Sequence, residues 1–288
     1  MDYRHKKCVE VVQLPSAFIE EKRYKCAPCS TCKQLVLAHP TESDSYKNDK
    51  KGVFLRKGLI TDIVSFSMEN EAGDVIPNLG DTVSFTNDIL AIGFIYDWQK
   101  IIINHGVDCY KIKVNFSIAG VTGDYTVGTY NLKQYSIDTS KYTVRVMSKF
   151  DSFSQKYNID FTDSNFIDSV RFNGFFGNRQ PNTEVNQLIN KGRISDKVTR
   201  ENLNTYFLRT DPINVCYTKQ LLEMHFLHED ELLISDHNAS NHSYDYFDKK
   251  VVLEDSPEVE YTDGNRKAKI NATFSDRTKT NKTYYNKK

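Results

Sequence analysis

Tryptophan occurs once and methionine four times in 288 residues, with seven prolines and 13 glycines. So little Gly and Pro excludes a collagen-like chain, and the apolar share is too high for wholesale disorder. No sustained heptad of apolar residues points to a coiled coil. Long apolar runs are also missing. The richest stretch, Ile89 to Ile103, is broken by Asp97, Gln99 and Lys100 and falls short of the ~20 residues a membrane span needs. Charge of one sign is absent too: 38 Lys and Arg balance 38 Asp and Glu. This argues against a general nucleic-acid coat and against a polybasic membrane protein. The opening residues Met1 to Glu10 lack the apolar centre of a secretion signal, so a soluble protein made in a reducing cytoplasm is expected.

What is present is aromatic and β-patterned. Seventeen Tyr and 17 Phe give a chain of this length ample material for a core. Val64, Phe66 and Met68 alternate with polar neighbours, and Asn70 to Asp74 supplies a turn. Tyr110 to Ile118 alternates strictly and predicts a half-buried antiparallel strand; Tyr142, Val144 and Val146 repeat the pattern. Glu258–Tyr261 and Lys267–Phe274 flank Asp263-Gly264, a strong hairpin signal. The expected fold is mainly β with a few helices (α+β): antiparallel β-sandwich or barrel modules with an extended N-terminal arm and a C-terminal tail.

Three helices are expected. Thr86 or Asn87 as cap and Gly106 as stop frame one that carries Ile89, Ile92, Ile95, Trp98 and Ile102, with a buried strand pair as the alternative for so β-branched a run. A second covers about Asp196 to Leu208. A third, short one is capped by Thr218 and sets Leu221, Leu222, His225 and Phe226 on one side. Gly177 to Pro181 is expected as a loop. The chain divides into an arm with a cysteine cluster (1–50), a β-rich domain (51–150), a second β-rich part with short helices (151–277) and a polar tail (278–288).

Net neutrality hides a segregation near the end. Glu223 to Asp263 holds twelve acids and two bases; Asn265 to Lys288 holds eight bases and one acid. A solvated face followed by a polar tail is the ordinary reading. The sharper one is electrostatic complementarity between subunits, which sets orientation and partner choice. Tail contact with nucleic acid through Tyr284 and Tyr285 is the least favoured.

Four of six cysteines lie in the first 32 residues: Cys8, Cys26, Cys29 and Cys32. Thiolates spaced as Cys26-x-x-Cys29-x-x-Cys32 can converge on one metal, with Cys8 completing a tetrahedral structural zinc. The triple also matches the first ligands of a ferredoxin cluster, whose fourth Cys followed by Pro is missing. Free or loosely packed thiols are the plain alternative.

Signatures of catalysis are absent from the sequence. There is no Gly-x-Ser-x-Gly elbow, Walker loop or His-Glu-x-x-His pattern. His225-x-x-His228 can share a helical face but belongs more naturally to a helix surface. Gly120, Gly123 and Gly128 read as turn residues.

Two stretches resemble virion proteins of phages that infect Bacteroidetes, including crAss-like phages. One runs from Asp97-Trp98-Gln99-Lys100 through Gly106-Val107-Asp108-Cys109-Tyr110 into Lys111 to Val114. The other runs from Val252-Leu253-Glu254-Asp255 to Phe274-Ser275-Asp276-Arg277. Together they span less than a quarter of the chain. The resemblance implies a non-enzymatic structural subunit of a phage tail, in a ring, collar or baseplate. Its partners would be further copies of itself and other tail or portal-proximal proteins, with no membrane and no nucleic acid. It would be assembled in the host cytoplasm into a virion. A receptor- or carbohydrate-binding module of the same particle is the alternative.

Overall fold

The computed structural model describes residues 34–57, 59–61, 63–118, 121–155, 157–189, 195–227, 230–238, 246–262, 266–277 and 280–283. The fold is mainly β, as expected. In chain order the first elements are β1 (Gln34–Ala38), β2 (Lys50–Arg56), β3 (Ile63–Glu69), β4 (Val75–Ile76), β5 (Gly80–Ser84), β6 (Ala91–Asp97), α1 (Trp98–His105), β7 (Cys109–Ile118) and β8 (Val121–Gln134). Then follow α2 (Ile137–Ser140), β9 (Thr143–Phe150), β10 (Phe153–Ser154), β11 (Ile159–Asp160), β12 (Phe166–Ile189) and β13 (Ser195–Thr210). The last are β14 (Ile213–Asn214), α3 (Val215–Gln220) with a π-helical turn over Leu221–Phe226, β15 (Glu231–Asp236), β16 (Lys249–Leu253), β17 (Glu258–Thr262), β18 (Lys267–Asp276) and β19 (Thr280–Thr283).

Two sheets form the first half. One has the order β1-β8-β7-β3-β4 and the other β2-β6-β5. Val36, Met68, Ile112 and Leu132 of the first meet Val53 and Tyr96 of the second, as in a sandwich. Helix α1 closes one end with Trp98, which is fully buried 5.3 Å from the ring of Tyr130. The expected long helix is therefore half strand. Its cap is not Thr86 or Asn87 but Asp97, whose carboxylate accepts from the backbone N–H of Gln99 (3.0 Å) and Lys100 (3.3 Å). Gly106 ends the helix as expected, at φ +82°, where any other residue is strained.

The second half is a closed barrel of six strands in the order β9-β12-β13-β18-β16-β15, with β15 back on β9. A barrel this small is filled by its own side chains. Val146, Phe172, Phe176, Leu208, Ile234 and Ile270 pack inside it. The connection from β13 to β15 does not join neighbours. It runs through β14, α3 and the π-helical turn, and Leu221 and Phe226 pack into the barrel's core. Thr218 thus lies inside the helical segment rather than at its cap.

Three further expectations are corrected. Asp196 to Leu208 is strand, not helix: Asn204, Tyr206, Leu208 and Thr210 are buried while Thr205, Phe207 and Arg209 are not, a period of two. Gly177 to Pro181 is a bulge inside β12 rather than a loop. Gly123 and Gly128 lie within β8 rather than in turns. The hairpin expected near the C-terminus is present as β17 on β18, although its turn at Asp263 to Asn265 lies outside the described residues.

Residues 34–50, read from the sequence as part of an irregular arm, supply β1 and a buried Asn48-Asp49 corner. Leu37 and Ala38 are fully buried. At the other end, Thr280–Thr283 of the expected polar tail pair as β19 with β13. A third cluster runs across residue 150: Phe54, Phe85 and Ile95 of the sandwich pack with Phe150, Phe161 and Phe166. Phe54 meets Phe161 and Phe166 edge-on at 5.2 and 5.3 Å.

Candidate functional site

The densest chemistry lies where the start of β2 crosses β12. Asp49 precedes β2 and is buried. Its carboxylate accepts from the backbone N–H of Leu37 (2.8 Å) and from both Nε and Nη2 of Arg171 (2.9 and 2.8 Å). Arg171 also donates from Nη1 to Thr143 Oγ1 (3.0 Å). One residue on, Lys50 N–H donates to Ser169 Oγ, and that hydroxyl donates to Lys50 C=O. Lys51 then reaches Asp168, with Nζ 2.7 and 2.8 Å from the two carboxylate oxygens. Gly52 N–H donates to Asp168 Oδ1 (3.0 Å). The acid-base order on β2 is matched by the base-acid order on β12, so the two strands interlock through alternating charge.

Gly52 is required by this approach. A Cβ there would stand 2.4 Å from a ring carbon of Phe166 and 2.5 Å from the carbonyl oxygen of Ile167.

His225 lies behind Asp168. It is fully buried, with Nδ1 2.8 Å from Ser148 Oγ and Nε2 3.5 Å from Asp168 Oδ2 without a hydrogen bond. Gln220 Nε2 donates to the same Oδ2 (3.2 Å). Ser148, His225 and Asp168 are the residue types of a hydrolase triad, but here the imidazole meets the serine through Nδ1 and the carboxylate through Nε2, the reverse of that mechanism. All three are sealed from solvent, and Lys51 occupies the carboxylate. Burial alone would raise the Asp168 pKa, but the Lys51 ammonium, with His225, holds it well below the usual carboxylate range. Burial lowers the His225 pKa, opposed in part by Asp168, so the imidazole is neutral. The group is a polar seam that fixes sandwich to barrel.

A second ionic node flanks it. Arg145, fully buried on β9, donates to the carbonyls of Ser45 and Asn48 and pairs with Asp248. Burial lowers its pKa, and Asp248 and Asp49 counter the effect. A surface depression of about 690 Å³ is lined by Lys149, Asp151, Glu231, Lys250 and Arg277. Lys149 and Lys250 both pair there with Glu231, and Arg277 donates to the Asp230 carbonyl.

The other distinctive feature is a ribbon. Strands β12 and β13 pair from Gly174–Thr210 at the barrel out to Ile189–Ser195. Strand β9 covers the far edge of β12 only from Phe166 to Asn173, and β18 covers β13 only from Arg209 to Thr205. Beyond that, β19 flanks β13 from Asn202 to Thr199. From Pro181 to Ile189 the ribbon extends about 30 Å at ~3.3 Å per residue, and among the described residues β12 is paired there only with β13.

Of the residues singled out from the sequence, Cys8, Cys26, Cys29 and Cys32 lie outside the described residues, as do His228, Tyr284 and Tyr285. Cys109 starts β7 half-buried, and Cys216 is in α3. Among the described residues no group of three or more His, Cys, Asp or Glu converges as a metal site, and no helix is long and apolar enough to cross a membrane. His225 is part of the seam rather than of a helix surface. Trp98 and, on the expected strand, Tyr110, Ile112 and Val114 are core. Within the acidic stretch, Glu231 and Asp248 have basic partners in the same chain, and Asp276 of the basic stretch pairs with Lys249. Compared with known proteins, the chain matches no family model and no curated sequence.

Proposed function

We propose that this chain is a non-enzymatic structural subunit of a phage tail, working in a ring, collar or baseplate through contacts with copies of itself and with neighbouring tail or portal-proximal proteins. The observation that carries the assembly reading is the ribbon. Among the described residues only β19 joins the β12–β13 ribbon beyond Pro181, and an isolated two-stranded hairpin is marginal in water. One that projects about 30 Å from a filled barrel gains its stability by lying on something else, and in a homo-oligomer that is the next copy. The seam supports the same reading from the other side. It joins sandwich and barrel with buried ion pairs, so the chain presents one stiff body from which the ribbon extends. The phage tail itself rests on the resemblance of Asp97 to Val114 and Val252 to Arg277. In this reading the Cys8, Cys26, Cys29 and Cys32 set holds a structural zinc that stiffens a docking segment.

Light scattering with electron microscopy of the full chain over a range of concentrations tests the proposal. Closed rings are expected. A compact monomer at every concentration would remove the homo-oligomeric reading.

A further inference from the structure

Among the described residues two strand edges have no partner strand, one on the sandwich and one on the ribbon. Strand β8 pairs with β7 from Val121 to Asn131, but β1 covers its other edge only from Tyr130 onward. The edge from Val121 to Thr129 has no partner strand among the described residues. A register shift near Val127 leaves Val121–Thr126 as its regular run. The second open edge is that of β12 in the ribbon. Pro181 stands at its root and a bulge falls between Asn186 and Gln187, so Asn182–Asn186 is its regular run. The two regular runs are six and five residues long, so the shorter fits along the longer.

Inside the two runs neither edge carries a blunting side chain, although a bulge lies beside each and Pro181 stands at the root of the second. Proteins blunt an exposed strand edge with lysine, proline or a covering loop. Neither Val121–Thr126 nor Asn182–Asn186 contains a lysine, an arginine or a proline, and each carries a single acid, Asp124 and Glu184. Lysine is otherwise common on this protein's strands: Lys111 and Lys113 lie on the adjacent β7.

We infer that the outer edge of the β12 ribbon, at Asn182–Asn186, adds as a strand to the free edge of β8, at Val121–Thr126, in a neighbouring copy of the chain. This rests on the homo-oligomeric reading above and names its contact. Strand addition satisfies backbone N–H and C=O groups on both edges. It also gives the ribbon the sheet it lacks. Because the two edges are different surfaces, the pairing is head to tail and passes from copy to copy, closing into a ring when the rotation permits.

Photo-cross-linking of the full chain tests this. A benzophenone amino acid is placed at Glu184, and in a second preparation at Thr122, with isotopically distinct copies mixed so that links between chains are identified by mass. The expected result is reciprocal: position 184 links to Val121–Thr126 and position 122 links to Asn182–Asn186, both between copies. Thr122→Lys with Thr126→Lys should abolish the links from position 184. Circular dichroism of that variant should match the parent. Links from position 122 to residues 1–33 would overturn the inference by giving the edge to the chain's own N-terminal segment. Links between two copies of position 184 would overturn it in favour of ribbon-to-ribbon pairing. If light scattering finds oligomers but neither expected link forms, this contact is wrong while the ring stands; if the protein is monomeric throughout, both fall.

Discussion

Lys51 Nζ sits 2.7 and 2.8 Å from the two carboxylate oxygens of Asp168, and the two side chains are 5% and 0% exposed. The residues are 117 positions apart, one on the sandwich and one on the barrel. A pair this deep is a poor source of net stability, because both charges lose their water. Its value is in geometry: each charge is tolerable only if the other is present, so sandwich and barrel have one permitted alignment.

That asymmetry gives the first prediction. Asp168→Asn leaves the Lys51 ammonium buried without its counter-charge and should cost about 3–5 kcal/mol. Lys51→Met should cost a similar amount. The double variant should cost well under the sum of the two, because neither charge is then stranded. Urea denaturation of the four proteins measures the cycle. Additive losses would mean that the pair is not coupled.

Acid should loosen the seam in two stages. Asp168 and His225 both have folded pKa values below their ordinary ones, so the unfolded chain takes up more protons as pH falls. Stability contributed by His225 is complete above its unfolded pKa of ~6.5 and declines below it; that of Asp168 declines below ~4. The slope approaches ~1.4 kcal/mol per pH unit for each proton. Denaturation between pH 8 and 4 should show the first decline in the parent and not in His225→Gln. A parent whose stability is flat from pH 7 to 5 would contradict the buried neutral imidazole.

Gly52→Ala places a methyl group against Phe166 and the Ile167 carbonyl. The strand must retreat from β12, lengthening the contacts of Asp168. A loss of at least 1–3 kcal/mol is expected, typical of overpacking. Gly73→Ala adds a methyl into open space, but at φ +92° it should still lose about 1 kcal/mol or somewhat more through backbone strain. Thermal melts of the two separate crowding from strain.

The zinc reading predicts one metal ion per chain by elemental analysis, lost in the Cys26→Ser, Cys29→Ser, Cys32→Ser triple variant. Purified protein without metal, whose melting temperature is unchanged in that variant, retires it.

Much of the β architecture is legible in the sequence because its strands bury one face. Tyr110 to Ile118 and Lys267 to Phe274 alternate cleanly, and each is a strand, with Tyr110, Ile112 and Val114 buried on the first and Ala268, Ile270, Ala272 and Phe274 on the second. The error at Ile89 to Ile102 has the opposite cause. Strand β6 is buried on both faces, Ile95 against the Phe54 cluster and Tyr96 against Trp98 and its neighbours, so no period survives in its sequence. Asp97 then caps a helix directly at the strand's end, and two elements read as one. At Asp196 to Leu208 the spacing of Val198, Leu203 and Phe207 suggested a helix, whereas Tyr206 and Leu208, two apart, mark the face that is buried. The seam leaves no local trace. Asp49 and Lys51 fall in a polar run that reads as linker, and their partners Arg171 and Asp168 lie among strand residues more than a hundred positions away. Charge complementarity between distant strands has no period to detect.

The claim on which this account depends most is that the ribbon makes the assembly. Removing it tests that directly: residues 182–203 are replaced by Asn-Gly, joining Pro181 to its register partner Asn204 through a tight turn. Mass by light scattering, with electron microscopy, is then compared between the full and shortened chains across concentrations. Rings are expected from the full chain, and from the shortened one a folded monomer that melts cooperatively with its circular dichroism reduced only by the lost strand residues. Rings that persist without the ribbon, or a full chain that stays monomeric, would contradict it.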